Sequence, residues 1–96
     1  DQKVNTHIFD TTYGKIELLN PISDDSPISK FLENRGEGIH HIAFKVDKLQ
    51  RALDYLKDNG IQLIDETPKI GAEGLLVAFL HPKSTYGVLI ELCQQP

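Results

Sequence analysis

The sequence predicts an α+β fold built from β–α–β–β–β modules, with one module complete and only the C-terminal part of another present. Two observations lead to this prediction. The segments G-K-I-E-L-L at 14–19 and G-V-L-I-E-L at 87–92 are nearly the same β-strand, each with one glutamate among apolar residues. Between them, G-I-H-H-I-A-F at 38–44 has a strand pattern that brings histidine into an apolar run. Similar strands within a similar order of elements indicate an internal repeat.

The N-terminal region predicts a β-hairpin. Residues 4–9 and 15–19 are rich in β-forming side chains, and D-T-T-Y-G at 10–14 supplies the turn between them. The polar stretch at 20–25 contains Pro21, which is expected to end the second strand.

A short helix should follow the hairpin. Ser26 is a suitable N-cap, Pro27 suits the first turn, and Gly36 suits the end of the helix. Three apolar side chains with i, i+3, i+4 spacing form its buried stripe: Ile28, Phe31 and Leu32.

The remaining chain predicts the complete module, in the order strand, helix, strand, strand, strand. The predicted strands are 39–46, 61–64, 75–80 and 88–92, and residues 65–74 form a loop. Alternation along the first strand places Ile42, Phe44 and Val46 on one face. His40 shares that face as a core histidine, and His41 lies on the opposite face.

The helix of this module is expected to begin after Asp47 as its N-cap, with Gln50 completing a capping box. Asn59-Gly60 should end it. Its apolar stripe consists of Leu49, Ala52, Leu53 and Leu56. We expect this stripe to pack on the face of the first strand that carries Ile42 and Phe44, which leaves the other sheet face for His41 and Glu91.

The repeat therefore divides the chain into two parts. Residues 1–37 contain the C-terminal strands of a partial first module and a linker helix, and residues 38–96 contain the complete second module. The repeat period places the missing strand and helix upstream of Asp1, within about 35 residues.

Composition excludes several function classes. A net charge of −4 with scattered Lys and Arg gives no basic surface for nucleic acid. No apolar run approaches the roughly 20 residues that span a bilayer. The single cysteine, Cys93, excludes an internal disulfide and fits a small strand residue better than a nucleophile. These features indicate a cytoplasmic protein.

The two glutamate strands and the histidine strand suggest a site. A carboxylate within an apolar strand is costly to bury unless it is paired or bound to a metal, so Glu17 and Glu91 either face solvent or serve a site. His41 on the free face of a third strand favours a divalent metal. The nearby turn carries Lys83, Ser84 and Thr85, donors that suit contact with an anionic substrate. His7 and His81 fit structural roles.

Five runs of the sequence match motifs of a known family. They are K-I-E-L-L-N-P (15–21), D-S-P-I-S-K-F-L (25–32), G-I-H-H-I-A-F-K-V-D (38–47), P-K-I-G-A-E-G (68–74) and F-L-H-P-K-S-T-Y-G-V-L-I-E-L (79–92). Together these runs resemble the methylmalonyl-CoA epimerase family of the vicinal-oxygen-chelate (glyoxalase/bleomycin-resistance/dioxygenase) superfamily.

The resemblance implies two βαβββ modules that form an open cup around a divalent metal ion, which could be Co, Mn, Ni or Zn. The implied ligands at matching positions are Glu17, His41 and Glu91. A fourth ligand, a histidine on the first strand of the first module, is expected upstream of Asp1. The implied partners are an acyl-CoA substrate and a second copy of the chain, in a homodimer. The implied compartment is the cytoplasm, or the mitochondrial matrix in a eukaryote.

The implied reaction interconverts (R)- and (S)-methylmalonyl-CoA by a 1,2-proton shift. The proton leaves a carbon between a thioester and a carboxylate, and the metal stabilises the resulting enolate. Glu91 matches the family's metal-bound glutamate and proposed catalytic base. The strand at 4–9, where some members carry a second carboxylate, has Thr6 and His7. Tyr86 stands where the family usually has glycine.

Three other functions fit the same scaffold. The first is a glyoxalase I-type lactoylglutathione lyase acting on a glutathione thiohemiacetal, which the motifs at 68–92 favour less than the epimerase. The second is an iron-dependent extradiol dioxygenase, since two His and one Glu also make an oxygen-activating triad. The third is a small-molecule binder, which has no need of the Glu17, His41 and Glu91 set.

Overall fold

A computed structural model describes residues 4–71 and 74–95 of the chain. The chain divides into two compact units, Asp1–Gly38 and Ile39–Pro96. Helices and strands are both present, and the order of elements agrees with the predicted α+β class.

The first unit contains the predicted hairpin. Strand β1 (Val4–Asp10) pairs antiparallel with β2 (Lys15–Pro21), in a register that joins Val4 to Pro21. The Thr11 N–H donates to the Gly14 carbonyl oxygen at 2.8 Å and closes the turn. The second strand is two residues longer than predicted, because Pro21 is its last residue and a proline is tolerated at a strand end.

Helix α1 (Pro27–Arg35) completes the first unit with the predicted caps. The buried Ser26 side chain accepts a hydrogen bond from the Ile28 N–H at 3.2 Å. Gly36 has a φ of +72°, and its N–H donates to the Leu32 carbonyl oxygen at 2.9 Å. Glycine adopts this conformation without the steric penalty of a Cβ, so the end of the helix is set locally.

The second unit is a four-stranded sheet with one helix. Its elements in chain order are β3 (Ile42–Lys45), α2 (Leu49–Asp58), β4 (Lys69–Ile70), β5 (Leu76–Leu80) and β6 (Ile90–Gln94). The strand order is β3-β6-β5-β4. Strands β3 and β6 are parallel, and the other two pairs are antiparallel.

Two predicted strands differ from the structure. The first, at 39–46, shortens to Ile42–Lys45. The segment 61–64 contributes only a bridge between Leu63 and Leu80, while β4 lies within the predicted loop. The segment 61–64 does not form a regular strand because its pairing with β5 is irregular. The N–H groups of Ile64 and Asp65 both donate to the Phe79 carbonyl oxygen, at 2.9 and 3.3 Å. Two residues facing one residue interrupt a regular ladder.

The N-terminus of α2 also differs from the prediction. Lys48, rather than Asp47, is the N-cap residue, and Gln50 donates to Asp54 and to the Glu66 carbonyl oxygen instead of closing a capping box. The Leu49 N–H donates to Oε1 of Gln94 at 2.6 Å. The acceptor for this helix end therefore comes from strand β6, 45 residues away.

The core of the second unit lies between α2 and the middle of the sheet. Its buried residues are Leu49, Leu53, Ala78, Leu80 and Leu92. Ile42 and Phe44 lie opposite Ile90 and Leu92 in the parallel register and so face the same side of the sheet. They nevertheless remain 41% and 51% exposed. The expected burial of this face is wrong at β3, because the helix packs on β5 and β6 and β3 is the edge strand.

Across the described ranges, neither helix has the length and apolar character needed to cross a bilayer.

Replacing Gln94 should destabilise the second unit. In Gln94→Ala, the Leu49 N–H loses its acceptor, so we expect a loss of about 1 kcal/mol, typical of a removed N-cap. Gln94→Glu keeps an acceptor oxygen and places a negative charge at the helix N-terminus, so it should retain stability. Urea unfolding of both variants, with the exposed Gln95→Ala as control, measures this. Equal stability of Gln94→Ala and Gln95→Ala would contradict the assigned cap.

Adding a methyl group at Gly71 should also destabilise the fold. A Cβ there would lie 2.8 Å from both γ-carbons of the buried Val77, so Gly71→Ala should cost about 1–3 kcal/mol by overpacking. The double variant Gly71→Ala/Val77→Ala should show non-additive recovery in a double-mutant cycle. Gly14→Ala is the matched control, since a Cβ at Gly14 meets nothing within 4 Å. Additive losses in the cycle would show that the contact does not matter.

Candidate functional site

The structure brings His41 and Glu91 side by side in the second unit. Glu91 lies on β6 opposite Ala43 of β3, and His41 lies just before β3. The distance between His41 Nε2 and Glu91 Oε1 is 3.3 Å, and their side chains are 22% and 17% exposed. The predicted closeness of these two side chains is therefore confirmed, although His41 lies outside the strand from whose alternation it was predicted.

His40 also contributes to this site. The two Nδ1 atoms of His40 and His41 lie 2.9 Å apart, with the rings nearly perpendicular at 88°. Strand alternation predicts opposite faces for these neighbours, but β3 begins only at Ile42, so alternation does not apply to them. Burial, and to a smaller extent the charge of His41, lowers the pKa of His40.

The short contact between the histidines constrains where the ring protons lie. Only one of the two Nδ1 atoms can carry the shared hydrogen, since a neutral imidazole has one donor and one acceptor nitrogen. If His41 Nδ1 donates to His40, then a neutral His41 has a lone pair at Nε2. If His41 Nδ1 accepts, then Nε2–H can donate toward Glu91. The first arrangement is the one a metal-binding histidine requires.

Phe79 forms part of the wall beside this pair. It lies opposite Glu91 in the register of β5 and β6, and its ring centroid is 6.2 Å from that of His41 at an angle of 74°. Such edge-to-face geometry is favourable for aromatic rings. Sequence reasoning missed Phe79 as a site residue, although strand alternation places it on the same face as Glu91.

Cys93 lies on this face as well, two residues beyond Glu91. Its thiol is buried and donates to the Phe44 carbonyl oxygen at 3.6 Å. Burial, followed by the negative charge of Glu91, raises the pKa of Cys93. A protonated, buried thiol is a poor nucleophile, so the structure agrees with the structural role expected for Cys93.

Glu17 belongs to the first unit. It lies on β2 opposite Ile8 and is exposed there. Its convergence with His41 and Glu91 stays a prediction. Among residues 4–71 and 74–95, no group of three or more His, Cys, Asp or Glu side chains is arranged to hold a metal ion.

In the loop between β5 and β6, two of the side chains predicted to contact an anion make hydrogen bonds within the protein instead. Residues Pro82–Ser84 form a 3₁₀ turn. The Ser84 hydroxyl accepts from the Gln62 N–H at 2.8 Å, and the Thr85 hydroxyl donates to the Val88 carbonyl oxygen. Lys83 is exposed. Substrate contact by Lys83, Ser84 and Thr85 stays a prediction.

Two other residues of this loop have clear structural positions. The His81 Nδ1 accepts from the Lys83 N–H at 3.0 Å, which agrees with the structural role expected for His81. Tyr86 has a φ of +55° and is fully exposed. This left-handed conformation favours glycine, which accounts for the glycine usual at this position in the family that the sequence resembles.

The donors of His41 and Glu91 suit a divalent ion. Two donors bound to one ion at about 2.1 Å, with an angle between 90° and 110°, lie roughly 3.0–3.4 Å apart. The observed separation of Nε2 and Oε1 is 3.3 Å. The contact from His40 fixes the opposite edge of the His41 ring, which is the usual arrangement around a metal-binding imidazole. The residues present therefore fit a metal ligand role.

Comparison with known proteins identifies relatives along nearly the whole chain. An uncharacterized protein, YqjC, of Bacillus subtilis is 47% identical over 94 residues, which cover 98% of this chain and 67% of that protein. The mitochondrial methylmalonyl-CoA epimerase of Dictyostelium discoideum is 54% identical over 79 residues, which cover 81% of this chain and 48% of that protein. The chain thus spans about half the length of the curated epimerase from that organism.

Comparison with solved structures also finds a methylmalonyl-CoA epimerase. The structure of Streptomyces coelicolor methylmalonyl-CoA epimerase (S115T) in complex with 2-nitronate-propionyl-CoA aligns with a TM-score of 0.82 and 35% identity, and covers 98% of this chain and 69% of that chain. The family model described as the glyoxalase/bleomycin resistance protein/dioxygenase superfamily matches residues 1–79. The fold implied by the sequence resemblance is therefore confirmed, and the chain belongs to the glyoxalase/bleomycin resistance protein/dioxygenase superfamily.

Proposed function

We propose that the chain forms part of the active site of an epimerase that interconverts (R)- and (S)-methylmalonyl-CoA. The observation that carries this proposal is the half-buried His41–Glu91 pair, with 3.3 Å between its nitrogen and oxygen atoms. The pair occurs in a chain that is 54% identical to a methylmalonyl-CoA epimerase over 79 residues. The related enzyme crystallised with a propionyl-CoA analogue supports an acyl-CoA substrate.

The reaction needs a base beside an acidic carbon. The C2 hydrogen of methylmalonyl-CoA is acidic because a thioester and a carboxylate flank it. Glu91 takes this proton at a carboxylate oxygen, which leaves a planar enolate, and a second acid/base group delivers another proton, exchangeable with solvent, to the opposite face of C2. The Glu91 side chain is only 17% exposed, which keeps most bulk water away from the carboxylate during the transfer.

We also propose Glu17, His41 and Glu91 as ligands of a divalent ion. The 3.3 Å donor separation and the anchored ring of His41 support two of these three assignments. A divalent ion bound there supplies Lewis-acid stabilisation of the negative charge that develops on the substrate oxygens. His40 contacts the Nδ1 edge of His41, and the tautomer in which His41 Nδ1 donates to His40 leaves the Nε2 lone pair for the ion.

Glu91→Gln should abolish most of the epimerase activity of the natural protein. The amide keeps the shape of the side chain but cannot accept the C2 proton, so we expect kcat to fall about 10²–10⁴-fold. The matched control is Glu66→Gln, because Glu66 is an exposed carboxylate paired with Lys57 of α2. Following the reaction of (R)-methylmalonyl-CoA in D₂O should show deuterium at C2 of the product.

Two results would contradict this assignment. Inversion without solvent deuterium at C2 would exclude delivery of a solvent-exchangeable proton by a second acid/base group. Turnover of a glutathione thiohemiacetal, with methylmalonyl-CoA left unchanged, would assign the site to the lyase reaction instead.

Metal affinity offers a second test. Removing one ligand should weaken binding of Co²⁺ or Mn²⁺ by at least about tenfold, so His41→Ala and Glu91→Gln should both show this loss by isothermal titration calorimetry. His7→Ala, on the exposed hairpin strand β1, is the control and should retain the affinity of the natural protein. Unchanged affinity in His41→Ala, or a comparable loss in His7→Ala, would overturn the ligand assignment.

A further inference from the structure

We infer that Phe79 is a positioning residue for His41, and that Lys69 and Asp65 hold Phe79 in place. The inference rests on the proposed role of His41 at the site and deepens it. The sequence predicts that Phe79 is part of a β-strand and that Lys69 and Asp65 are part of a loop. In the structure the three form one continuous set of contacts that ends on the His41 ring.

The first contact lies between the two aromatic rings. Phe79 is part of β5 and pairs with Glu91 of β6. On its other side its N–H donates to Asp65 and its carbonyl oxygen accepts from Ile64, so its Cα is fixed from both sides. Its ring lies edge-to-face with the ring of His41, with centroids 6.2 Å apart. Because His41 lies before the first residue of β3, the sheet ladder does not determine the direction of its ring, and side-chain neighbours must do so.

The second contact lies between Lys69 and Phe79. Lys69 lies opposite Val77 in the register of β4 and β5, so it shares the sheet face of Phe79. Its Nζ atom is 5.3 Å from the centroid of the Phe79 ring. An ammonium group within about 6 Å of a ring centroid is attracted to the face of the ring. The ring of Phe79 is therefore held by a cation as well as by the ring of His41.

The third set of contacts involves Asp65, which reaches both of the other residues. Its Oδ2 atom accepts from the Phe79 N–H at 2.8 Å, and its Oδ1 atom lies 3.4 Å from Lys69 Nζ. An exposed ion pair would contribute little by itself. Here the Asp65 side chain is only 16% exposed and is fixed to the backbone of Phe79. The Asp65 carboxylate thus contacts both Lys69 and the backbone of Phe79, and it keeps the Lys69 ammonium group near the Phe79 ring.

These contacts complete the surroundings of His41. Its ring contacts His40 through Nδ1 at 2.9 Å, Glu91 through Nε2 at 3.3 Å, and the ring of Phe79. A catalytic or metal-binding group works best when packing and hydrogen bonds lock its rotamer. Phe79 supplies the packing part of this constraint, so its loss should free the His41 ring while both Nδ1 and Nε2 partners remain in the chain.

The test compares four variants and one control by affinity for Co²⁺ and by the ring ¹⁵N chemical shifts of His41 in the metal-free protein. Phe79→Leu should weaken Co²⁺ binding about 10–100-fold, the range typical of lost support around a ligand, whereas Phe79→Tyr should retain it. Lys69→Met should weaken Co²⁺ binding about 2–10-fold. Lys69→Arg should keep the affinity of the natural protein, because an Arg side chain also packs well over an aromatic ring. Lys57→Met, in which a lysine bound to Glu66 is lost, is the matched control.

The sign of the Lys69→Met effect separates positioning from charge. Removal of a nearby positive charge should by itself strengthen binding of a cation, so weaker binding in Lys69→Met can only come from loss of position. In the metal-free natural protein the ring shifts of His41 should report one tautomer, and in Phe79→Leu they should move toward the average of two.

Two outcomes would overturn the inference. One is a Phe79→Leu variant that loses stability in urea but keeps the His41 ring shifts and the Co²⁺ affinity, since that is the result of a merely structural role. The other is tighter Co²⁺ binding in Lys69→Met. Both readouts are independent of turnover, so absence of epimerase activity would count against the proposed function and not against the role of Phe79.

Discussion

The structure of the second unit depends on the parallel pairing of β3 with β6, in the register that sets Ala43 beside Glu91. Residues almost 50 positions apart become neighbours through this pairing, and only this register brings His41 within 3.3 Å of the Glu91 carboxylate. A shift of β3 by one residue would exchange the faces of its side chains and displace the adjoining His41 from Glu91. The core of α2, β5 and β6 holds the register in place.

Strand β6 serves three purposes with successive residues. Ile90 and Leu92 pack toward α2, Glu91 and Cys93 lie on the opposite face, and Gln94 accepts from the first N–H of α2. Alternation makes this possible, because each face of a strand can satisfy a different requirement. The helix that covers the core is thus capped by the same strand that carries the site, so the packing of α2 and the position of Glu91 are physically connected.

The sequence was sufficient where the determinants are local. The caps of α1 at Ser26 and Gly36 follow from residue type alone. The sequence was insufficient where a hydrogen-bond or packing partner lies far along the chain. Gln94 replaces the expected cap of α2, and two N–H groups share the Phe79 carbonyl oxygen and interrupt the expected strand at 61–64. The contact of Phe79 with the site is visible only once the other elements are in place.

The contact between the two histidines links the protonation of one ring to that of the other. A second proton on His40 would place a positive charge on a partly buried ring beside His41, and burial, followed by the charge of His41, lowers the pKa of His40. A lowered pKa means that the folded state favours neutral His40. That contribution to stability is present above the ordinary pKa of 6.5 and is lost as the pH falls through the lowered value. Above that range His40 Nδ1 can act as the acceptor, and His41 keeps the lone pair at Nε2 that a divalent ion requires.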